Sequence, residues 1–174
     1  VSGLPTAHDI KVLTRNGPLV SGNGVGELRD FIATGFDETS PAFSPDGRYI
    51  AYSSNESGTT EVYVVPYPGS GAKTQVSRRG GQLPVWNPNG RELFYVSAGK
   101  ELMAVDVETA TTFSAQTPRA LFAMPPYMAQ RGMPYDVSAD GTRFLVRKSV
   151  VSVGQPGELR IVLNLVDEIE RRAK

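Results

Sequence analysis

The sequence predicts an all-β fold assembled from four-stranded antiparallel sheets, on three observations. The first is the stretch Phe43-Ser44-Pro45-Asp46-Gly47-Arg48-Tyr49-Ile50-Ala51-Tyr52, which reads as strand, tight turn and strand. Asp-Gly and Asn-Gly pairs tolerate positive φ at a chain reversal, and Pro45 presets φ at the turn's entrance. The second is recurrence: Asn89-Gly90 is followed by Arg91-Glu92-Leu93-Phe94-Tyr95, and Asp140-Gly141 by Thr142-Arg143-Phe144-Leu145-Val146. A strand-built repeat of roughly 40 to 50 residues is the period of a propeller blade. The third is the strand after the first turn. Tyr49 and Ala51 point one way, Ile50 and Tyr52 the other, so both faces are apolar and need cover. A single blade cannot supply that cover; neighbours stacked around an axis can.

Taken in order, residues 7–34 supply a strand pair. Ile10, Val12 and Thr14 alternate along its first strand, and Asn16-Gly17-Pro18 turns the chain. The second strand covers 27–34. The pair reads as the outer half of a blade whose inner half is missing. The first full blade spans 40–77, with strands near 41–43, 49–53, 61–66 and 74–77. Asn55-Glu56-Ser57-Gly58 and Gly69-Ser70-Gly71 are its further turns. The second blade spans 83–124, with strands near 84–86, 92–97, 102–107 and 120–123. The last blade, 134–165, has strands near 135–138, 143–148 and 159–165. Residues 166–174 read as one or two helical turns, with Arg171, Arg172 and Lys174 suited to the negative end of the helix dipole.

Composition narrows the functional classes. The 174 residues form one domain or a large piece of one. Eighteen basic and 18 acidic residues balance, so charge gives no drive toward nucleic acid or an anionic membrane. There is no cysteine, which excludes disulfides, thiolate metal sites and a cysteine nucleophile. No apolar run is long enough to span a bilayer as a helix, so no membrane insertion is expected. The chain opens at Val1 without a basic or apolar leader, and a processed or cut chain is expected.

Candidate chemistry is sparse. His8 is the only histidine and falls on an outer strand, where it reads as a surface residue rather than a triad base or metal ligand. Gly22-Asn23-Gly24-Val25-Gly26 lacks the spacing and the following helix of a phosphate loop. Asp46, Gly47, Asn89, Gly90, Asp140 and Gly141 share one place in the repeat and are structural turn residues. No metal ligand set, cofactor or catalytic residue is expected. Binding is expected on the loops that lead into each innermost strand, residues 35–39, 78–82 and 125–133, because a propeller gathers such loops on one face around its axis. Arg78, Arg79 and Arg131 offer cations there, Asp37 and Glu38 the opposite charge, and Tyr127 an adaptable apolar surface. Trp86, with Phe43 and Tyr135, reads either as an aromatic ring at a tunnel mouth or as blade-to-blade packing.

The repeat resembles that of TolB-like, WD40-like β-propellers over about residues 7–168. Residues 43–52 carry the resemblance. So do Glu61-Val62-Tyr63-Val64 with Pro66-Tyr67-Pro68-Gly69, Leu102-Met103-Ala104-Val105, and Tyr135-Asp136-Val137-Ser138-Ala139-Asp140-Gly141 as the closing blade. The resemblance implies partner binding in the bacterial envelope, with a periplasmic or other extracytoplasmic location. In that family such blades often end a longer chain, sometimes downstream of a protein kinase domain. The expected function is a non-enzymatic binding or scaffolding module for a protein, peptide or glycan. The alternative is the propeller portion of a larger enzyme or receptor, of the kinase-sensor or prolyl-peptidase type. No G-x-S-x-G, H-R-D or D-F-G motif occurs, so any catalytic part would lie outside these residues. Unequal strand counts at the two ends leave open sheet edges, and self-association is expected.

Overall fold

A computed structural model describes residues 7–14, 26–69, 71–124 and 135–146. Among them there are only strands and turns. The expected strand near 159–165, the helical tail 166–174 and the loop 125–133 lie outside the described residues.

The strand pair is β1 (Ile10–Thr14) and β2 (Glu27–Ile32), joined antiparallel. The first blade is β3 (Glu38–Phe43), β4 (Tyr49–Ser54), β5 (Glu61–Pro66) and β6 (Thr74–Gln75), in that spatial order. The second is β7 (Gly81–Trp86), β8 (Glu92–Ser97) and β9 (Glu101–Glu108), followed by two short strands, β10 (Ser114–Ala115) and β11 (Arg119–Ala123). Both of these pair with β9. A single fourth strand was expected; Pro118, between the two pieces, has no N–H to give a ladder and interrupts it. The last pair is β12 (Tyr135–Val137) and β13 (Phe144–Val146).

The two innermost strands begin earlier than the sequence suggests. Pro41 and Pro84 read as strand starts, yet β3 and β7 each run three residues further back. A bulge absorbs each proline. The register slips between Thr39 and Ala42 and between Gln82 and Val85. The residue before each proline takes a left-handed conformation, Ser40 at φ 54° and Leu83 at φ 58°.

Packing follows the period-2 alternation of the strands. On β4, Tyr49 and Ala51 join Trp86, Leu93 and Tyr95 in a core between the two blades, while Tyr52 turns to Ile10 of the strand pair. On β8, Leu93 and Tyr95 face the first blade, and Phe94 and Val96 face Tyr135 and Val146 of the last pair. All six residues of β4 are buried. Each of the two blades is thus covered on both sides by its neighbours, as the double-faced strand requires. The strand pair sits where a blade's outer half would. The Glu38 N–H donates to His8 O at 2.8 Å, just as the Gly81 N–H donates to Thr60 O at 2.9 Å one repeat later.

The three hairpin turns share one construction. Gly47, Gly90 and Gly141 lie at φ 71°, 72° and 71°. The preceding Asp46, Asn89 and Asp140 do not share the positive φ; they act through their side chains. Asp46 Oδ1 accepts from Ser44 Oγ at 2.6 Å and from the Arg48 N–H at 3.1 Å, and Ser44 Oγ accepts from the Tyr49 N–H at 2.9 Å. Ser138, Asp140, Thr142 and Arg143 repeat the same network. Asn87 and Asn89 build an amide version. The hydroxyl of Ser44 and, after it, the Arg48 bonds hold the Asp46 carboxyl down to about 2.

Gly141 carries a second constraint. A Cβ there would lie 2.4 Å from Asn87 Oδ1, which accepts from the Asn89 N–H, whereas a Cβ on Gly47 meets nothing within 4 Å. Gly47→Ala is expected to cost about 1–2 kcal/mol for its left-handed backbone. Gly141→Ala should cost more, because it also displaces the buried Asn87 side chain. Urea denaturation of the two variants checks the order; equal midpoints would contradict the contact between turns.

Candidate functional site

The segment leading into β7, Ser77-Arg78-Arg79-Gly80-Gly81, borders a recess at the end of the blades opposite the Asp/Asn-Gly turns. It is an open depression of about 470 Å³ lined by Thr59, Thr60, Glu61, Arg78, Arg79, Gly80, Gly81, Gln82 and Ala98. Its floor is held by Glu61, the first residue of β5, which is buried. Glu61 Oε1 accepts from the Gly80 N–H at 2.9 Å, and Oε2 accepts from the Ser77 hydroxyl. Ser77 Oγ in turn accepts from the Val62 N–H at 2.7 Å. The Gly80 carbonyl accepts from the Ala98 N–H at 3.3 Å, tying the loop to the second blade.

Glycine is required at both positions of this floor. Gly80 has φ 85°, and a Cβ on it would come within 2.6 Å of Ala98 Cβ. A Cβ on Gly81 would come within 2.5 Å of Ser77 Oγ. The loop is therefore packed between two blades, with Arg78, Arg79 and Gln82 left exposed above it.

Arg78 and Arg79 both line the depression. Asp37 is placed in the equivalent loop one repeat earlier but does not line this recess. Its carboxylate is engaged by His8, with Nδ1 to Oδ1 at 2.5 Å and the His8 N–H at 3.1 Å. His8 itself is exposed, in keeping with the surface reading. Glu38 is a correction. It is not a rim acid but a buried strand residue, only 2% exposed, because the bulge draws it into β3. Its Oε1 accepts from Thr34 Oγ1 at 2.5 Å. Trp86 is also unavailable to a ligand. It is 6% exposed, its indole N–H donates to Ala42 O at 3.1 Å, and its ring meets Phe113 edge-on. That is the packing alternative. Phe43, at the same place in the repeat, is half exposed and packs edge-on against Tyr67. Tyr135 is buried, and its hydroxyl donates to Leu83 O at 2.8 Å. Tyr127 and Arg131 lie outside the described residues.

Sequence reading missed Thr59, Thr60 and the Glu61–Ser77 brace. The signal for the brace is faint: an acid opening β5 and a hydroxyl just after β6, sixteen residues apart. Only the ladder brings them together.

A second depression, of about 550 Å³, lies at the opposite end beside Asn89, Arg91, Glu92, Asp106 and Glu108. Its charges are partly matched by Arg119, which pairs with Glu92 at 2.6 Å and reaches Asp106 at 3.5 Å.

The repeat, the double-faced sheets and the shared turns are those of a propeller, and a family model described as the lipoprotein LpqB β-propeller domain matches residues 12–155. The chain belongs to this family. No curated protein matches it. Among solved structures, an oligogalacturonate lyase in complex with manganese is similar over 80% of this chain and 37% of its own, at 20% identity and TM-score 0.51. A putative TolB from Agrobacterium tumefaciens is similar over 57% of this chain and 40% of its own, at 18% identity and TM-score 0.42. The chain therefore spans 37–40% of the length of these neighbours. At such identities the lyase likeness shows the fold alone.

The brace of this LpqB-family domain makes a direct prediction. Glu61→Ala leaves the Gly80 N–H without its partner, at about 1–3 kcal/mol, with a further loss at the Ser77 hydroxyl. Glu61→Gln keeps the shape and should cost less. Thermal melts rank the two, and an Ala variant as stable as the parent would remove the brace.

Proposed function

We propose that this propeller domain is a non-enzymatic binding module, and that its ligand docks on the rim depression around Arg78, Arg79 and Gln82. One observation carries the reading: exposed polar side chains stand on a loop fixed from below by Glu61 and from the side by Ala98. Binding residues on a rigid floor lose little conformational freedom when the ligand arrives. The description of the family as a lipoprotein domain supports an extracytoplasmic location. The ligand class is a protein, peptide or glycan rather than nucleic acid. A photo-crosslinking residue at Gln82 should capture an extracytoplasmic ligand from envelope extract, whereas the same residue at Glu108, in the opposite depression, should not. Equal capture at both positions would place the site elsewhere.

The reading also includes self-association. Phe43 is 51% exposed, while Trp86 at the same repeat position is 6% exposed under its neighbouring blade. Among the described residues β1 pairs only with β2, leaving its other edge unpaired. A second copy of the chain covering that end would bury Phe43. Sedimentation velocity at low micromolar concentration should show dimers that Phe43→Ser weakens. A monomer at every concentration would end this proposal.

A further inference from the structure

We infer that the rim depression selects acidic ligands, and specifically an extended peptide segment carrying spaced carboxylates. The inference rests on the binding-module reading and adds the chemistry of the ligand.

The charge state of the recess is the first argument. Lys11, Arg29, Arg48, Lys73, Arg119 and Arg143 each face a carboxylate. Arg78 and Arg79, like the separate Arg91 and Lys100, form no ion pair among the described residues, and they are the two that stand side by side in the chain. The one acid lining the depression, Glu61, is 3% exposed, and both its oxygens are taken by Ser77 and Gly80. Glu61 keeps its charge but is turned inward onto Ser77 and Gly80, so among the described residues the recess lining carries two exposed guanidiniums against one buried carboxylate that pairs with neither. A guanidinium presents a planar fork of donors that matches a carboxylate.

The shape is the second argument. The depression is open to solvent, so it does not enclose a small anion and strip its water. A ligand held here must make several exposed contacts along the rim. An extended acidic peptide does so. Its carboxylates meet Arg78 and Arg79, and its backbone amides meet the exposed Thr59, Thr60 and Gln82, which together offer donors and acceptors. The opposite depression, where acids meet Arg119, offers no such surplus.

The test is fluorescence-anisotropy titration of the whole chain with a labelled Gly-Glu-Gly-Glu-Gly-Glu peptide, its Gln counterpart and inorganic phosphate as competitor. The Glu peptide should bind, weaken as salt rises, and lose about tenfold in affinity in Arg78→Gln/Arg79→Gln, the scale for two exposed charge pairs. Arg91→Gln, an exposed arginine of the opposite depression, should bind like the parent. Circular dichroism and melting confirm that each variant folds. Equal affinity for the Gln peptide, no effect of the double variant, or an equal effect of Arg91→Gln would overturn the inference. Displacement by millimolar phosphate as effective as by unlabelled Glu peptide would also overturn it, in favour of a simple oxyanion site. Crosslinking from Gln82 without any acidic-peptide binding would leave the depression as the site and refute only its acidic preference.

Discussion

The structure depends on strands that are apolar on both faces. β4 and β8 are each the second strand of one sheet and a wall of two cores. Tyr49 and Ala51 commit β4 to the second blade, and Tyr52 commits it to the strand pair. Burying a large side chain contributes roughly 1.5–3 kcal/mol, so neither side can be left to water without loss. Everything else serves that stacking. The turns must be tight enough to let neighbours approach, and the loops entering each inner strand must cross from one blade to the next without leaving polar groups stranded. The Glu61–Ser77–Gly80 brace solves that second problem at one crossing. The Trp86 indole bond to Ala42 and the Tyr135 hydroxyl bond to Leu83 solve it deeper in the stack.

Much of this was legible in the sequence. The spacing of Asp46-Gly47, Asn89-Gly90 and Asp140-Gly141 gave the repeat, and alternation gave the faces. What escaped the reading was set by non-local geometry. Pro41 and Pro84 look like strand boundaries because a proline interrupts a ladder. Here a left-handed residue before each one restores the strand beyond it, and this moves Glu38 from a loop to the interior. The turns look like dipeptides in the sequence, whereas the working unit is longer: a Ser or Asn two residues before the Asp or Asn shares its bonds.

The candidate site shows the same division. Arg78 and Arg79 were visible as charges on a loop between blades. That they form no ion pair with Glu61 was not, since it depends on Glu61 facing inward from another strand. A carboxylate near two arginines in the chain's fold is ordinarily their partner. Here it satisfies backbone and hydroxyl donors instead, and the exposed groups of the rim are the two guanidiniums.

The broken outer strand of the second blade has its own consequence. The outer strands of both blades are fragments: β6 and β10 have two residues each, and β11 shifts register between Ala120 and Phe122. An intact, flat outermost strand would present a continuous row of unpaired amides to any passing chain, the template on which cross-β aggregates grow. Cutting that row at Pro118 leaves segments too short to seed such growth. The irregularity that weakens the blade's own ladder thereby guards the domain against amyloid-like assembly along its circumference.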